Sequence, residues 1–233
     1  MTRQNFIPAS SQGSPMVLAL IPWWDMGNHD NGELTTDFNV EIDSSEYRAC
    51  RSFNSGDQVF MSYGKRPNSE LFLHNGFVHV NNRSDDVKLR LGVSKSDALV
   101  NLKCELLKEL GIPSSAEFHL PYTSQPYRPV GNFLAFLRVF NMDQGDLEEW
   151  TRKENKEDLL QPEPALPVDA KVFRFLATRI KLILSAYFSS LKEDENMLAE
   201  RDLSPCLKLA LLLRITEKRI LTKIVADLEK VQF

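Results

Sequence analysis

Asn28-His29, Tyr63-Gly64, Asn68 and the run His74-Asn75-Gly76-Phe77 are the residues whose types and spacing could do chemistry. Amide, imidazole, phenol and aromatic ring offer hydrogen bonds and flat faces, the groups of a ligand site but also of an ordinary turn. Taken singly, each has the plainer use: an Asn-His pair leaving a strand serves turn chemistry, and a tyrosine before glycine is packed or bonded through its hydroxyl. Their conjunction carries the information. Leu20-Ile21-Pro22 leads through Asp25 to Asn28-His29, an acidic turn-rich segment follows, and Tyr63-Gly64 comes about thirty-five residues later, ahead of Asn68 and His74 to Phe77.

The elements that must position these residues are short. Val17 to Trp23 is a nearly continuous apolar run, bracketed by Ser11 to Pro15 and by Asp30-Asn31-Gly32, which predicts a buried strand between turns. Phe38 to Ile42 alternates and could pair with Glu46 to Phe53, and Asn54 to Asp57 turns the chain into an apolar strand over Gln58 to Tyr63. The first eighty or so residues therefore read as a small antiparallel assembly.

After Ser94 the period changes to helix. Ser94 or Ser96 can cap a helix with Leu99, Leu102, Leu106 and Leu110 on one face, stopped by Gly111 and Pro113. Phe133 to Phe140 is apolar on nearly every side and so belongs at the centre of a core. Pro162 to Pro167 is a linker. Two long amphipathic helices follow, one through Val172, Leu176, Ile180, Ile183, Tyr187 and Leu191, the other starting at Asp202 and carrying Leu209, Leu212, Ile220, Ile224 and Leu228. These stripes are packing surfaces without catalytic residues. A boundary near Ser84 separates residues 1–84 from 85–233.

Composition narrows the class. With 233 residues and 42% hydrophobic content, the chain can bury a sizeable core. A net charge of −4 without a basic stripe argues against nucleic acid as substrate, and no apolar run is long enough to span a bilayer. The reading is a soluble intracellular protein without membrane contact. Cys50, Cys104 and Cys206 are odd in number and widely spaced, so they predict reduced structural thiols and no bound metal.

The order and spacing of the first motifs resemble SET-domain protein methyltransferases of the plant Rubisco lysine methyltransferase type. The helical remainder, including Lys88 to Asp97 and Gly131 to Met142, resembles the substrate-binding domain that follows SET in that group. The likeness sharpens toward the actin-specific protein-histidine branch at Thr2-Arg3-Gln4-Asn5, Trp24-Asp25-Met26 and Leu91 to Asp97. It implies an α+β chain: the C-terminal half of a SET domain (1–84), then an all-helical substrate-binding domain (85–233). S-adenosyl-L-methionine is the implied cofactor and actin the implied protein partner, in the cytoplasm with nuclear residence alongside. By the family pattern, Asn28 and the His29 backbone hold the cofactor, Phe77 packs on its adenine, and Tyr63 lies beside the transferring methyl. Asn5, Trp24, Ile21 and Met61 would line the acceptor pocket, with Asp25 and Arg66 arranging the substrate peptide.

The implied chemistry suits these types. Methyl transfer from a sulfonium to a neutral nitrogen is an in-line displacement, so alignment and desolvation do most of the work. A histidine with a pKa of about 6.5 is mostly neutral at pH 7, whereas a lysine at about 10.4 is neutral in roughly one molecule in a few thousand. Orientation is then the harder problem. An amide such as Asn5 can pair with one imidazole nitrogen without adding charge, and Trp24 supplies a flat wall. Lysine-specific relatives usually have other residue types at these two places.

Family members carry a long N-terminal half of SET, so the chain is expected to begin at an internal methionine of the family, with an incomplete cofactor site and an exposed apolar edge at Val17 to Trp23. Pro15, Trp23, Gly27 and Lys65 are local departures that bear on peptide preference. Two other readings stay open: protein-lysine methylation, and a non-catalytic module in which the helical domain docks a partner.

Overall fold

Proline and glycine punctuate the N-terminal segment into pieces of only two to four residues each, and the computed structural model shows how these pair. It describes residues 5–10, 13–33, 36–49, 51–200 and 202–231, so Thr2, Arg3, Gln4 and Cys50 lie outside the described residues. The chain forms two units, Met1–Asp85 with Pro205–Leu213, and Asp86–Ser204 with Arg214–Phe233.

In the first unit, β1 (Asn5–Pro8) pairs antiparallel with β2 (Met16–Ala19), Asn5 opposite Ala19. The strand expected over Val17 to Trp23 thus lies earlier, and it is not buried: Val17, Leu18 and Leu20 are exposed and Trp23 is 82% exposed. Among the described residues this ribbon has two strands, and Pro22, with no N–H to give, ends the extended run in a 3-10 turn at Trp24–Met26. β3 (Asn28–His29) follows.

β4 (Thr36–Asn39) and β5 (Ser44–Tyr47) make a hairpin tighter than the expected pairing of Phe38 to Ile42 with Glu46 to Phe53. Asn39 Oδ1 accepts the Glu41 N–H at 3.1 Å, an Asx turn that starts the reversal two residues early and leaves Ile42 exposed at the tip. β6 (Phe60–Met61) is shorter than the strand expected over Gln58 to Tyr63. It pairs with β3 in parallel, so the assembly is not wholly antiparallel. Helix α1 (Asn68–Asn75) replaces what reads as turns: Pro67 precedes it, and Gly76 closes it at φ 76°, a conformation that costs glycine nothing.

The second unit is helical with one ribbon. β7 (Asp86–Gly92) pairs antiparallel with β8 (Ser115–Pro121), burying Leu89, Leu91, Phe118 and Leu120 on alternate positions. The chain is α+β, and the part expected to be all-helical contains this hairpin, whose period-two alternation is visible in Val87, Leu89 and Leu91. Between the strands, α2 (Val100–Glu109) starts later than Ser94 or Ser96. Those two hydroxyls bond each other at 2.8 Å, and the Asp97 carboxylate instead accepts the Leu99 N–H at 2.8 Å.

α3 (Gly131–Asn141) is buried through Phe133 to Val139, at the centre of the core as its composition predicts. α4 (Gln144–Arg152) starts in a capping box between Asp143 and Asp146. The stripe beginning at Val172 is divided: α5 (Asp169–Ser185) ends before Tyr187, and Leu191 opens a separate α6 (Leu191–Leu198), capped by Ser190 and Glu193. α7 (Pro205–Glu229) begins at its proline, not at Asp202, and Ile220, Ile224 and Leu228 join Val172, Leu176 and Ile180 in one core.

Two buried ion pairs tie this unit. Arg138 grips Asp169 through two bonds of 2.7 Å, and Asp194, fully buried, takes Lys218 and Arg214. Burial alone would push the Asp194 carboxyl up, but hydrogen bonds from Arg214, Lys218 and Ser189 bring it down to about 2. Cys104 is half-buried and Cys206 exposed, both as free thiols, so a purely structural role does not describe Cys206. Among the described residues, no helix is long and apolar enough to cross a membrane.

Candidate active site

Tyr63 is held at both ends. Its N–H donates to His29 Nδ1 at 3.1 Å and its hydroxyl donates to the Gly27 carbonyl at 2.8 Å. The β3–β6 pairing makes this possible by setting His29 beside Met61, and Asp30 N–H extends it with a 3.0 Å bond to the Met61 carbonyl. Gly27 lets Met61 come close: a Cβ there would lie 2.6 Å from Met61 Sδ and 3.1 Å from the Tyr47 hydroxyl, so a side chain would have to push Met61 aside. What reads as a departure within the first motif thus has a packing consequence.

A cavity of about 460 Å³ opens in the same unit, lined among others by Asn5, Trp24, Asp25, Met61, Tyr63 and Arg66. These are the residues expected around a methyl acceptor, with one exception. Ile21 is buried and outside the cavity wall; its carbonyl accepts the Trp24 N–H at 3.0 Å and so closes the 3-10 turn that presents Trp24. Asn5 comes from β1, Trp24 and Asp25 from that turn, and Met61 from β6. Arg66 is steadied through its carbonyl, which accepts from Asn82 Nδ2 at 2.8 Å.

Thr36, Asp37, Phe38, Ser62 and Asn75 also line the cavity and were not singled out from the sequence as lining it. Two polar atoms of the lining are buried with no hydrogen-bond partner among the described residues, Trp24 Nε1 and Asn75 Oδ1. A buried donor and a buried acceptor left unmatched are costly unless a bound molecule completes them. The signal for Asn75 was its place in His74-Asn75-Gly76-Phe77, one residue before the left-handed glycine that ends α1.

The residues expected to hold a cofactor gather around Tyr63 but outside that cavity lining. The His29 ring lies 5.2 Å from Tyr63 and 6.0 Å from Phe77, centroid to centroid, and Tyr63 and Phe77 meet edge to face at 6.2 Å. Asn28 is exposed on β3. Burial, then the neighbouring His79, pushes the His29 imidazole below its ordinary value against the opposing Asp30 carboxylate and Met61 carbonyl.

Behind the rings, Asn68 is a buried clasp. Its Nδ2 donates to Asp85 Oδ2 at 2.7 Å and to the His79 carbonyl at 3.1 Å, and its Oδ1 accepts the His79 N–H at 2.9 Å. The arrangement can align and desolvate two reactants on either side of one fixed tyrosine. Among the described residues no cluster of three or more His, Cys, Asp and Glu side chains is placed to hold a metal.

The Rubisco LSMT substrate-binding family matches residues 94–221, more than half of the chain. Actin-histidine N-methyltransferases of Homo sapiens and Callithrix jacchus are each 43% identical over 231 residues, covering 97% of this chain and 38% of theirs. The chain therefore spans about two-fifths of the length of these relatives. Among solved structures, Rubisco LSMT bound to AdoMet is 25% identical with a TM-score of 0.73, over 91% of this chain and 50% of that one. The SET domain of LSMT bound to lysine and AdoHcy shares the fold at a TM-score of 0.74, with 22% identity over 98% of this chain and 53% of that one. By sequence match over more than half of its length, the chain belongs to the Rubisco LSMT substrate-binding family, and it shares the fold of the solved Rubisco LSMT structures.

Proposed function

We propose that this chain is the matching part of an S-adenosylmethionine-dependent protein-histidine N-methyltransferase that acts on actin. The observation that carries the reading is the cavity joining Asn5 and Trp24 to Tyr63, in a chain 43% identical to actin-histidine N-methyltransferases. The residues present suit the two reactants: an aromatic cluster for the flat base of the cofactor, and unmatched buried atoms on Asn75 and Trp24 in the acceptor cavity. When bound, S-adenosylmethionine supplies an electrophilic methyl on a sulfonium.

Asn28 and His29 would hold its adenosine and amino-acid portions, and Phe77 its adenine. Tyr63, fixed by His29 and Gly27, divides the cofactor side from the acceptor side. The Asn5 amide takes one imidazole nitrogen of the substrate and leaves the other lone pair free to attack, while Trp24 and Met61 exclude water. A substrate imidazole is already mostly neutral at pH 7, so no side chain has to serve as a strong base. Asp25 and Arg66 arrange the flanking peptide. The helical unit docks actin, and the proposed substrate puts the protein in the cytoplasm, with nuclear residence alongside.

The test is transfer of a labelled methyl group to actin by the intact protein, with Tyr63→Phe and Asn5→Ala beside it. Label on an actin histidine, reduced at least about tenfold by Asn5→Ala as an orienting hydrogen bond is lost, supports the reading. Label on lysine moves it to lysine methylation. Actin binding without cofactor affinity moves it to a non-catalytic docking module.

A further inference from the structure

In the proposed reaction His29 acts through its backbone, yet its half-buried imidazole is also engaged. Nδ1 accepts the Tyr63 N–H, so the ring must be neutral with its own proton on Nε2. An imidazolium carries protons on both nitrogens, which would set a donor against the Tyr63 donor. Of the two restraints on Tyr63, then, the one from Gly27 is indifferent to pH near neutrality and the one from His29 is not.

The His79 ring stands edge-on to His29 at 5.4 Å and the rings of Tyr63 and Phe77 lie beside it; His79 and Arg66 favour the neutral His29 imidazole, while the Asp30 carboxylate and the Met61 carbonyl oppose it. His79 is itself an acceptor. Asn31 takes the Arg83 N–H on Oδ1 at 2.9 Å and gives Nδ2 to the Asn81 carbonyl at 2.9 Å, which fixes the amide so that Nδ2 donates to His79 Nε2 at 3.0 Å. Asp30 Oδ1 accepts the Asn31 N–H at 2.7 Å and lies 3.5 Å from His79 Nε2, and Arg51 stands 3.8 Å from Asp30 Oδ2. The His29 imidazole therefore sits in a hydrogen bond that uses a ring lone pair, and its burial favours the same neutral form.

We propose that the His29 imidazole is a positioning residue, whose neutral Nδ1 holds Tyr63 in the geometry for methyl transfer, so that protonating His29 shuts the site. The consequence for transfer rests on the methyltransferase reading, whereas the His29–Tyr63 linkage stands apart from it, and the experiment separates them. In the first arm, nitrogen NMR of the unmutated intact protein follows the His29 ring and the Tyr63 amide through a pH titration. The expected result is an Nε2–H ring at pH 7.5 and a Tyr63 amide that shifts with His29 protonation; an Nδ1–H ring, or a Tyr63 amide indifferent to that titration, overturns the proposal whatever the protein's activity.

The second arm compares pH–rate profiles of methyl transfer for the parent, His29→Asn and His29→Ala. His29→Asn offers an uncharged acceptor at the Nδ1 position, so it should exceed His29→Ala by about five- to tenfold in kcat, the worth of one such hydrogen bond. It should also lose the His29 part of the parent's acid limb, leaving only the part set by protonation of the substrate imidazole, whereas a merely structural role would leave the whole limb in place. A parent acid limb that persists unchanged in His29→Asn overturns the proposal. If nothing is methylated, the methyltransferase reading fails and the first arm alone decides the linkage.

Discussion

Asn68→Asp changes one atom of the clasp behind the site. It keeps the oxygen that accepts the His79 N–H but puts a carboxylate oxygen where Nδ2 now donates to Asp85 Oδ2 at 2.7 Å. At an effective dielectric of about 20, two charges that close repel by about 6 kcal/mol. Taking up one proton is the less costly escape: with an ordinary carboxyl near 3.9, it costs about 4 kcal/mol at pH 7 and about 1.5 kcal/mol at pH 5. The pair's folded pKa is thereby raised, so the penalty fades as pH falls.

Asn68→Ala behaves differently. It removes three side-chain hydrogen bonds at a site where Asn68 is fully buried, costing about 3 kcal/mol at either pH. The two variants should therefore cross, Asp being the less stable at pH 7 and the more stable at pH 5. The assay is urea unfolding followed by tryptophan fluorescence in a Trp150→Phe background, which leaves Trp23 and Trp24 as reporters of the first unit. An Asn68→Asp penalty that is the same at pH 5 and pH 7 would refute the reasoning.

Asp194→Ala should destabilise the second unit by about 3–5 kcal/mol, because it strands a buried Lys218, and Asp194→Leu with Lys218→Met should recover most of that in denaturant melts. Since the Asp194 carboxyl is held down at about 2, the parent pair contributes fully above about pH 4 and its contribution is lost as pH falls toward 2, which acid unfolding monitored by circular dichroism will show. Gly27→Ala forces Met61 aside, at a cost of about 1–3 kcal/mol. Because Met61 lines the cavity and the Gly27 carbonyl holds Tyr63, the free energy lost from kcat/KM with the proposed actin substrate should exceed that lost from folding stability; an equal or smaller loss refutes the cavity assignment.

The long helices were legible because their information is local. Val172, Leu176 and Ile180, or Ile220, Ile224 and Leu228, recur at the spacing of one helix face and are buried, whereas Ile183, Leu209 and Leu212 of the same stripes are only half-buried. Their ends were read less well. The Asp97 carboxylate, not Ser94 or Ser96, meets the chain entering α2, and the apolar stripe that runs on to Leu191 belongs to two helices. Strands suffered more, since a two-residue strand such as Phe60–Met61 has no period to detect.

The order of Asn28-His29, Tyr63-Gly64 and Phe77, together with Asn5 and Trp24, is a property of the sequence alone, and it sufficed to nominate the residues and the chemistry they resemble. Only the tertiary structure decided how they meet. The parallel pairing of Asn28–His29 with Phe60–Met61 joins backbone groups some thirty residues apart, and backbone hydrogen bonds leave no mark on side-chain types. That pairing ties Tyr63 to His29 and Gly27 and brings the Met61 side chain close against Gly27, while Ile21 stays under the 3-10 turn and out of the cavity.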